Sequence, residues 1–139
     1  MRENSAEKRS RRFSLEFDSC PENESFARST AAAVLMPLDP TVEELTEIKT
    51  AVSEAVSNSV IHGYAGTGGI ITMTCEASGG GRVVICVKDE GSGIEDIEKA
   101  REPLFTTNTD GERSGMGFTV MESFMDHVTV RSEPGRGTE

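Results

Sequence analysis

Apolar residues recur at intervals of three and four along the segment from position 41 to position 63. This spacing places them on one side of a helix and predicts a stripe that packs against a core. The segment opens with TVEE (41–44), in which Thr41 is the expected N-cap and Glu44 completes a capping box. Gly63 is well placed to end the helix. We therefore expect the fold to form around one long amphipathic helix, with a core stripe made of Leu45, Ile48, Val52, Val56 and Val60.

The same helix carries a polar file, because Glu54, Asn58 and His62 recur every four residues on another side. Glu54 lies almost opposite the centre of the apolar stripe. One interpretation is a solvated polar face. The other is that the file lines a cleft, in which an Asn carbonyl oxygen suits Mg²⁺. A glutamate in such a cleft could accept a proton from a hydroxyl nucleophile.

Four segments have strand patterns. RFSLEF (12–17) alternates polar and apolar residues, and IITMTCE (70–76) and RVVICVK (82–88) are β-branched runs joined by SGGG (78–81), which predicts a hairpin. The unbroken apolar run from 83 to 87 predicts a central strand. VTVRS (128–132) predicts a further strand before the turn EPGRG.

Helical segments separate these strands. A first helix is expected from an N-cap at Asn23 to about Met36, because Pro37 and Pro40 cannot continue it. A short helix near 95–102, a long loop over 103–117 and a helix over 118–127 follow. This order predicts an α+β fold, a two-layer α/β sandwich with helices on one face of a mainly antiparallel sheet. Residues 13–139 are expected to form a single domain.

Charge is distributed unevenly. The first twelve residues hold five Lys or Arg and two Glu, so the net charge of −10 leaves −13 on the rest of the chain. Residues 1–12 are expected to form a disordered basic tail; the alternative is that they contact an acidic partner. The acidic body argues against direct nucleic-acid binding, which requires Lys and Arg against phosphates.

Cysteine use and hydropathy point to the cytoplasm. Cys20, Cys75 and Cys86 are too widely spaced for a zinc motif, and the last two lie in apolar runs, so they are expected to be reduced core thiols. No apolar run approaches the ~18 residues of a membrane span, and the N-terminus lacks a signal-peptide core.

Two glycine-rich motifs suggest ligand contacts. In DEGSG (89–93), Asp89 could accept a hydrogen bond from an exocyclic amine such as that of adenine, while Gly91 and Gly93 permit close backbone approach; the alternative is a simple turn. SGMGF (114–118) precedes a helix and offers N–H groups to phosphates, or acts as a hinge. Arg113 could stabilise a transferring phosphoryl group, or be a solvated surface residue. P-loop and Rossmann sites are disfavoured, because neither motif is present.

The order and spacing of these motifs are more specific than any one of them. Together they resemble the GHKL superfamily, the Bergerat ATP-binding fold of gyrase and histidine kinases. The matching motifs are ExxxN and HG on a helix, DxGxG after a strand, GxG after a loop and a terminal GT. Within this superfamily the sequence is most similar to the anti-sigma F factors of endospore-forming bacteria. The segments that carry this similarity are ESFAR (24–28), LDPTVEELTEIKTAVSEAV (38–56), IHGY (61–64), PLFTT (103–107) and ERSGMGFTVMESFMD (112–126). The resemblance spans about 13–138.

This resemblance implies a serine protein kinase that binds ATP or ADP with Mg²⁺ and inhibits the sporulation sigma factor F. It implies a homodimer that phosphorylates an anti-anti-sigma factor on serine. By position, Glu54 would be the general base and Asn58 the Mg²⁺ ligand, with Arg113 near the γ-phosphate. Glu24 and Arg28 would contact the sigma factor and the anti-anti-sigma partner.

The resemblance also implies the nucleotide pocket. Asp89 would bind the adenine amino group with help from Thr138. The pocket would be completed by residues that border the adenine and by residues that cradle the phosphates: His62, Gly63, Gly91, Gly93 and Ile94, and Ser114, Gly115, Met116 and Gly117.

Some segments depart from the family pattern. AGTGG (65–69) is shorter and less charged than in typical members, and TTNTDGER (106–113) replaces a common Lys-Pro pair. Family members continue with a final strand beyond the position of Glu139, so we expect that strand to be missing and a sheet edge to be exposed. Two other functions remain open: a nucleotide-dependent sigma-binding module with little kinase activity, and a general-stress anti-sigma kinase.

Overall fold

The computed structural model describes residues 10–102 and 117–139. Their helices and strands follow the order β1 (Arg11–Asp18), α1 (Glu22–Leu35), a 3₁₀ turn (Met36–Leu38), α2 (Val42–Asn58), a π-helical turn (Ser59–Gly63), β2 (Ile70–Ala77), β3 (Val83–Asp89), α3 (Ile97–Ala100), α4 (Gly117–Phe124), β4 (Ser132–Glu133) and β5 (Gly137–Thr138).

Within these ranges the strands form one antiparallel sheet in the order β1-β2-β3-β5-β4. The β2–β3 hairpin is confirmed, with Thr74 opposite Cys86, and β3 occupies the central position that its apolar run predicts. Helices α1 and α2 contact the sheet through β1, β2 and β3. The other face of the sheet exposes Glu16, Glu76, Val84 and Lys88. The predicted α+β class, with helices on one face, is therefore confirmed.

The core lies between the sheet and the two long helices. Helix α2 begins at the predicted capping box, in which the N–H of Glu44 donates to the Thr41 hydroxyl (3.0 Å) and the N–H of Thr41 donates to the Glu44 carboxylate (3.2 Å). Val52, Val56 and Val60 of its stripe enter the core as predicted, and Ile48 packs against the edge. Leu45 is only half-buried and lies outside this cluster, which corrects its assignment to the core stripe. The buried core cluster consists of Ala27, Ala31, Val34, Val52, Val56, Val60, Ile71, Met73 and Cys75.

The start of α1 differs from the prediction by two residues. Asn23 is not the N-cap; Pro21 takes that position with φ −58° and ψ −31°. The ring of Pro21 fixes φ near the helical value, so the helix begins before Asn23. The Asn23 side chain instead donates to the carbonyl of Asp18 (2.9 Å), which ties the end of β1 to the helix.

Both ends of the described chain also differ from expectation. Strand β1 begins at Arg11, so Arg11 and Arg12 pair with β2 and do not belong to the predicted basic tail. Residues 1–9 of that tail lie outside the described residues. Helix α4 ends at Phe124 and not at 127. The predicted strand over 128–132 is reduced to β4, which starts at Ser132.

The cysteines are free thiols in different surroundings. Cys75 is fully buried, and this burial raises its pKa. Cys86 is only half-buried, which corrects the expectation of a core thiol. Burial, followed by the hydrogen bond and negative charge of Glu139, raises the pKa of Cys86. Among the described helices, none combines the length and the apolar character that crossing a bilayer requires.

Candidate functional site

Helix α2 ends in a widened turn that meets the loop after β3. Over Ser59–Gly63 the backbone follows a π-helical turn, in which the N–H of Tyr64 donates to the carbonyl of Ser59 (2.8 Å). Such turns are frequent at functional sites. The carbonyls of His62 and Gly63 then accept hydrogen bonds from the hydroxyl (3.2 Å) and the N–H (2.7 Å) of Ser92. The predicted positions His62 and Gly63 thus lie against the DEGSG loop.

The carboxylate of Asp89 lies at the centre of this junction and is only 4% exposed. Its Oδ2 atom accepts a hydrogen bond from the Ser59 hydroxyl (2.7 Å), and its Oδ1 atom accepts from the N–H groups of Gly91 (3.0 Å) and Thr138 (3.2 Å). A carboxylate offers about four acceptor sites. Donors among the described residues use three of these sites and leave about one.

Two glycines leave bare backbone beside this carboxylate. A Cβ atom on Gly63 would lie 2.9 Å from Oδ2 of Asp89, and a Cβ on Gly91 would overlap the carbonyl of Gly63. Side chains at these positions would therefore cover the carboxylate or separate the helix end from the loop. Both are among the pocket residues that the family resemblance implies.

The end of the chain closes the other side of the junction. Gly137, at φ +121°, crosses so close to β3 that a Cβ would overlap the carbonyl of Asp89. The hydroxyls of Ser132 and Thr138 are 2.8 Å apart, and Ser132 also accepts from the N–H of Ile94 (2.7 Å). The structure therefore brings Ile94 and Thr138 to the Asp89 end of the site.

Gly93 reaches the same region by a different contact. Its φ is +75°, and a Cβ there would overlap the carbonyl of Glu133 in β4. The DEGSG loop is thus packed against β4 as well as against the end of α2. Positions 91 and 93 both need glycine because another backbone segment passes close to each of them. Position 93 also needs glycine because its φ is positive.

A second group of predicted residues meets where α4 begins. A Cβ on Gly117 would lie 3.1 Å from Oε2 of Glu54 and 3.3 Å from both amide atoms of Asn58. Glu54 and Asn58 of the polar file therefore face the first residue of α4, as expected if this part of the file lines a cleft. Arg113, Ser114, Gly115 and Met116 lie outside the described residues.

The arrangement has two chemically different ends. The Asp89 end offers an anchored acceptor between bare backbone segments, which fits a flat base that carries an amino group. The Glu54 and Asn58 end offers side-chain oxygens that suit a hard cation or a hydroxyl proton. Both ends are on or beside α2, so one rigid element sets the distance between them.

Sequence reasoning missed two residues that hold the site together. Ser59 anchors Asp89, and the hydroxyl of Tyr64 accepts from the N–H of Glu90 (2.7 Å) and donates to the carbonyl of Ile70 (2.6 Å). Ser59 had a usable signal: it follows Val52 by seven residues and so lies on the core side of α2. A polar residue there requires a buried partner.

The chain is similar to known proteins over nearly its whole length. A family model described as a histidine kinase-like ATPase domain matches residues 17–139. Anti-sigma F factor of Thermoanaerobacter sp. (strain X514) is 59% identical over 89% of this chain and 86% of its own length. The protein of the same name from Clostridium acetobutylicum is 57% identical over 90% and 87%. The one from Geobacillus stearothermophilus is 58% identical over 89% and 85%.

Proposed function

The chain belongs to the anti-sigma F factor family and to the histidine kinase-like ATPase domains, and we propose that it is an ATP-dependent serine kinase that inhibits the sporulation sigma factor F. A domain of this family binds nucleotide. The finer part of the proposal is that the nucleotide is ATP with Mg²⁺. A further part is that the phosphoryl group passes to a serine of an anti-anti-sigma factor.

The observation that carries the proposal is the placement of both ends of the site along α2. The anchored Asp89 acceptor lies beside the bare backbone of Gly63 and Gly91. Glu54 and Asn58 face Gly117 further back along the same helix. This arrangement fits a nucleotide with its adenine at Asp89 and its phosphates toward α4. His62, Gly93, Ile94 and Thr138 would border the base.

The chemistry of the proposed reaction is mainly positioning and charge neutralisation. Asn58 would hold Mg²⁺, which supplies positive charge to the phosphate oxygens when it is bound. Glu54 would accept the proton of the attacking serine hydroxyl. Ser114, Gly115, Met116 and Gly117 would donate backbone N–H groups to phosphates, and Arg113 would stabilise charge on the transferred group.

The partner surface is proposed to include Glu24 and Arg28 on α1. Both are partly exposed and oppositely charged, so they suit polar recognition of a protein partner. The net charge of −13 after residue 12 supports binding of a sigma factor, which is basic where it meets DNA. We further propose that the protein acts in the cytoplasm as a homodimer.

A Glu54→Gln variant tests the kinase. It keeps the size of the side chain but cannot accept the proton, so serine phosphorylation of the anti-anti-sigma factor should fall about 10²- to 10⁴-fold. ATP and sigma-factor binding should stay close to those of the parent protein. Glu47→Gln, on the same helix, is the matched control and should phosphorylate normally.

The outcomes separate the alternatives. Equal phosphorylation by the Glu54→Gln variant and the parent would exclude Glu54 as the base. A parent protein that binds the sigma factor with ATP but transfers no phosphate would instead support the nucleotide-dependent binding module. Failure to bind either partner would contradict the regulatory role itself.

A further inference from the structure

Four polar side chains join α1 to α2 and form what we term the α1–α2 polar cluster: Glu24, Arg28, Ser53 and Ser57. The hydroxyl of Ser57 donates to Oε2 of Glu24 (2.6 Å), and Nη1 of Arg28 donates to the hydroxyl of Ser53 (3.1 Å). The same Arg28 nitrogen is 4.0 Å from Oε1 of Glu24. Each charged residue on α1 is therefore held by one serine on α2.

The cluster is anchored in the interior at one end and open at the other. Ser57 is 4% exposed, so its hydroxyl needs a partner inside the protein and the Glu24 carboxylate provides it. The side chains of Glu24 and Arg28 remain 29% and 39% exposed. The two serines thus fix one side of this charged pair while the other side stays available to a ligand.

Fixed side chains bind with a smaller entropic cost. Glu and Arg are among the side chains that lose most rotamer freedom when they are ordered. When α2 already orders them, a partner that contacts them does not bear that cost, and its affinity rises. The serines occur one turn apart on α2, which matches the one-turn spacing of Glu24 and Arg28 on α1.

We propose that Ser57 and Ser53 are positioning residues that hold Glu24 and Arg28 in the conformation that meets the sigma factor. The inference rests on the proposed function, because Glu24 and Arg28 are assigned there as partner contacts. It adds that the partner surface of α1 is set by α2, the helix that also carries Glu54 and Asn58. Ser53 and Ser57 directly precede those two residues in sequence.

The test is a double-mutant cycle on sigma-factor affinity, measured with ATP present. Ser57→Ala should weaken binding by roughly fivefold to tenfold, as expected for loss of a hydrogen bond to a charged group. Glu24→Ala should weaken it at least as much. In the Glu24→Ala background, Ser57→Ala should have no further effect, because the group that it positions is gone. A serine needed only for packing would weaken binding in both backgrounds.

Two controls accompany the cycle. Ser29→Ala makes the same change on the exposed side of α1 and should leave sigma-factor affinity within about twofold of the parent. The ATP affinity of Ser57→Ala should also stay within about twofold, because the cluster lies outside the nucleotide site. If Ser57→Ala does not fold, Ser53→Ala, which is half-buried, tests the same inference through Arg28.

The results distinguish this inference from the proposed function. One outcome would overturn the positioning role alone: the parent binds the sigma factor, Glu24→Ala binds it more weakly, and Ser57→Ala and Ser53→Ala bind it as tightly as the parent. Additive effects of Ser57→Ala and Glu24→Ala would overturn it as well. A parent protein that does not bind the sigma factor, or a Glu24→Ala variant that binds normally, would overturn the proposed partner surface together with the inference.

Discussion

Asp89 is a buried carboxylate with a structural role, and we propose that it also recognises the nucleotide base. Three donors from three segments hold it: Ser59 from the end of α2, Gly91 from the following loop and Thr138 from β5. Buried charge is costly unless it is hydrogen-bonded, and these donors meet that requirement without using every acceptor site. In the proposed nucleotide complex, the remaining acceptor capacity would accept from the amino group of the base.

An Asp89→Asn variant should separate these two roles. The amide oxygen can still accept from the two N–H groups, and the amide nitrogen can donate to Ser59 after its hydroxyl rotates. Folding should therefore be nearly retained, while ATP affinity falls about 10- to 100-fold through loss of an acceptor. Calorimetric titration with ATP measures this, and Asp96→Asn, at the N-cap of α3 where Asn serves equally well, is the control. Unchanged affinity would contradict the assigned role of Asp89.

Ser59 should contribute to stability and to nucleotide binding together. A Ser59→Ala variant removes the buried donor to Oδ2 of Asp89, so the free energy of unfolding should fall by about 1 to 2 kcal/mol. Urea unfolding measures this loss, and Ser78→Ala in the exposed hairpin turn is the matched control. ATP affinity should fall as well, because the carboxylate loses a constraint. A variant as stable as the parent would show that the Ser59 bond is replaced by water.

The sequence predicts which site residues lie together only where their regular spacing places them on one face of an element. The four-residue spacing of Glu54 and Asn58 placed them in one file, and the structure has them together beside Gly117. The bond between Ser59 and Asp89 joins residues 30 positions apart, and no local pattern specifies that pairing. Only the placement of a serine on the core side of α2 hinted that a partner was needed.

At the scale of elements, the site depends on how closely the end of α2 approaches the loop after β3. The carbonyl of Gly63 lies where a side chain on Gly91 would stand, and it accepts the N–H of Ser92. The Tyr64 hydroxyl stabilises the same contact by hydrogen bonds to the backbone of Glu90 and Ile70. The helix end and the loop therefore behave as one unit.

A Gly91→Ala variant should force these two elements apart. Its methyl group would overlap backbone atoms that cannot move alone, so we expect a loss of about 2 to 3 kcal/mol in the free energy of unfolding. Thermal unfolding should shift down by roughly 5 to 10 °C. Gly80→Ala is the matched control, because a Cβ there meets nothing within 4 Å. Equal melting of both variants would show that the close approach is not required.

Element boundaries were less predictable than element types. The capping box fixed the start of α2 because both of its partners are local in sequence. The start of α1 was misplaced, because the fixed angle of Pro21 competes with the capping tendency of Asn23. The strand over 128–132 was overextended, because strand length depends on a partner and β5 contributes only Gly137 and Thr138 to its ladder.

At the scale of the whole molecule, the resemblance in motif order identifies the family, and family membership is confirmed. Composition alone indicates only an acidic domain. The order of the motifs carried the assignment, since each motif alone is compatible with a surface helix, a turn or a hinge. The net charge adds a long-range electrostatic field, which is a property of the whole molecule and of no single residue. With −13 after residue 12, the body produces a field that extends beyond any one contact.

This field leads to a prediction for binding of the sigma factor. Oppositely charged partners are steered together at low ionic strength, and the Debye length shortens from about 30 Å at 0.01 M to about 10 Å at 0.1 M salt. The association rate constant should therefore fall at least about tenfold between those concentrations, with a smaller change in the dissociation rate constant. Stopped-flow mixing with the sigma factor, in ATP, measures both. The Ser57→Ala variant is the control: it alters a short-range contact, so it should dissociate faster and keep the same salt slope. An association rate that does not change with salt would mean that local contacts on α1, and not the acidic body, bring the partners together.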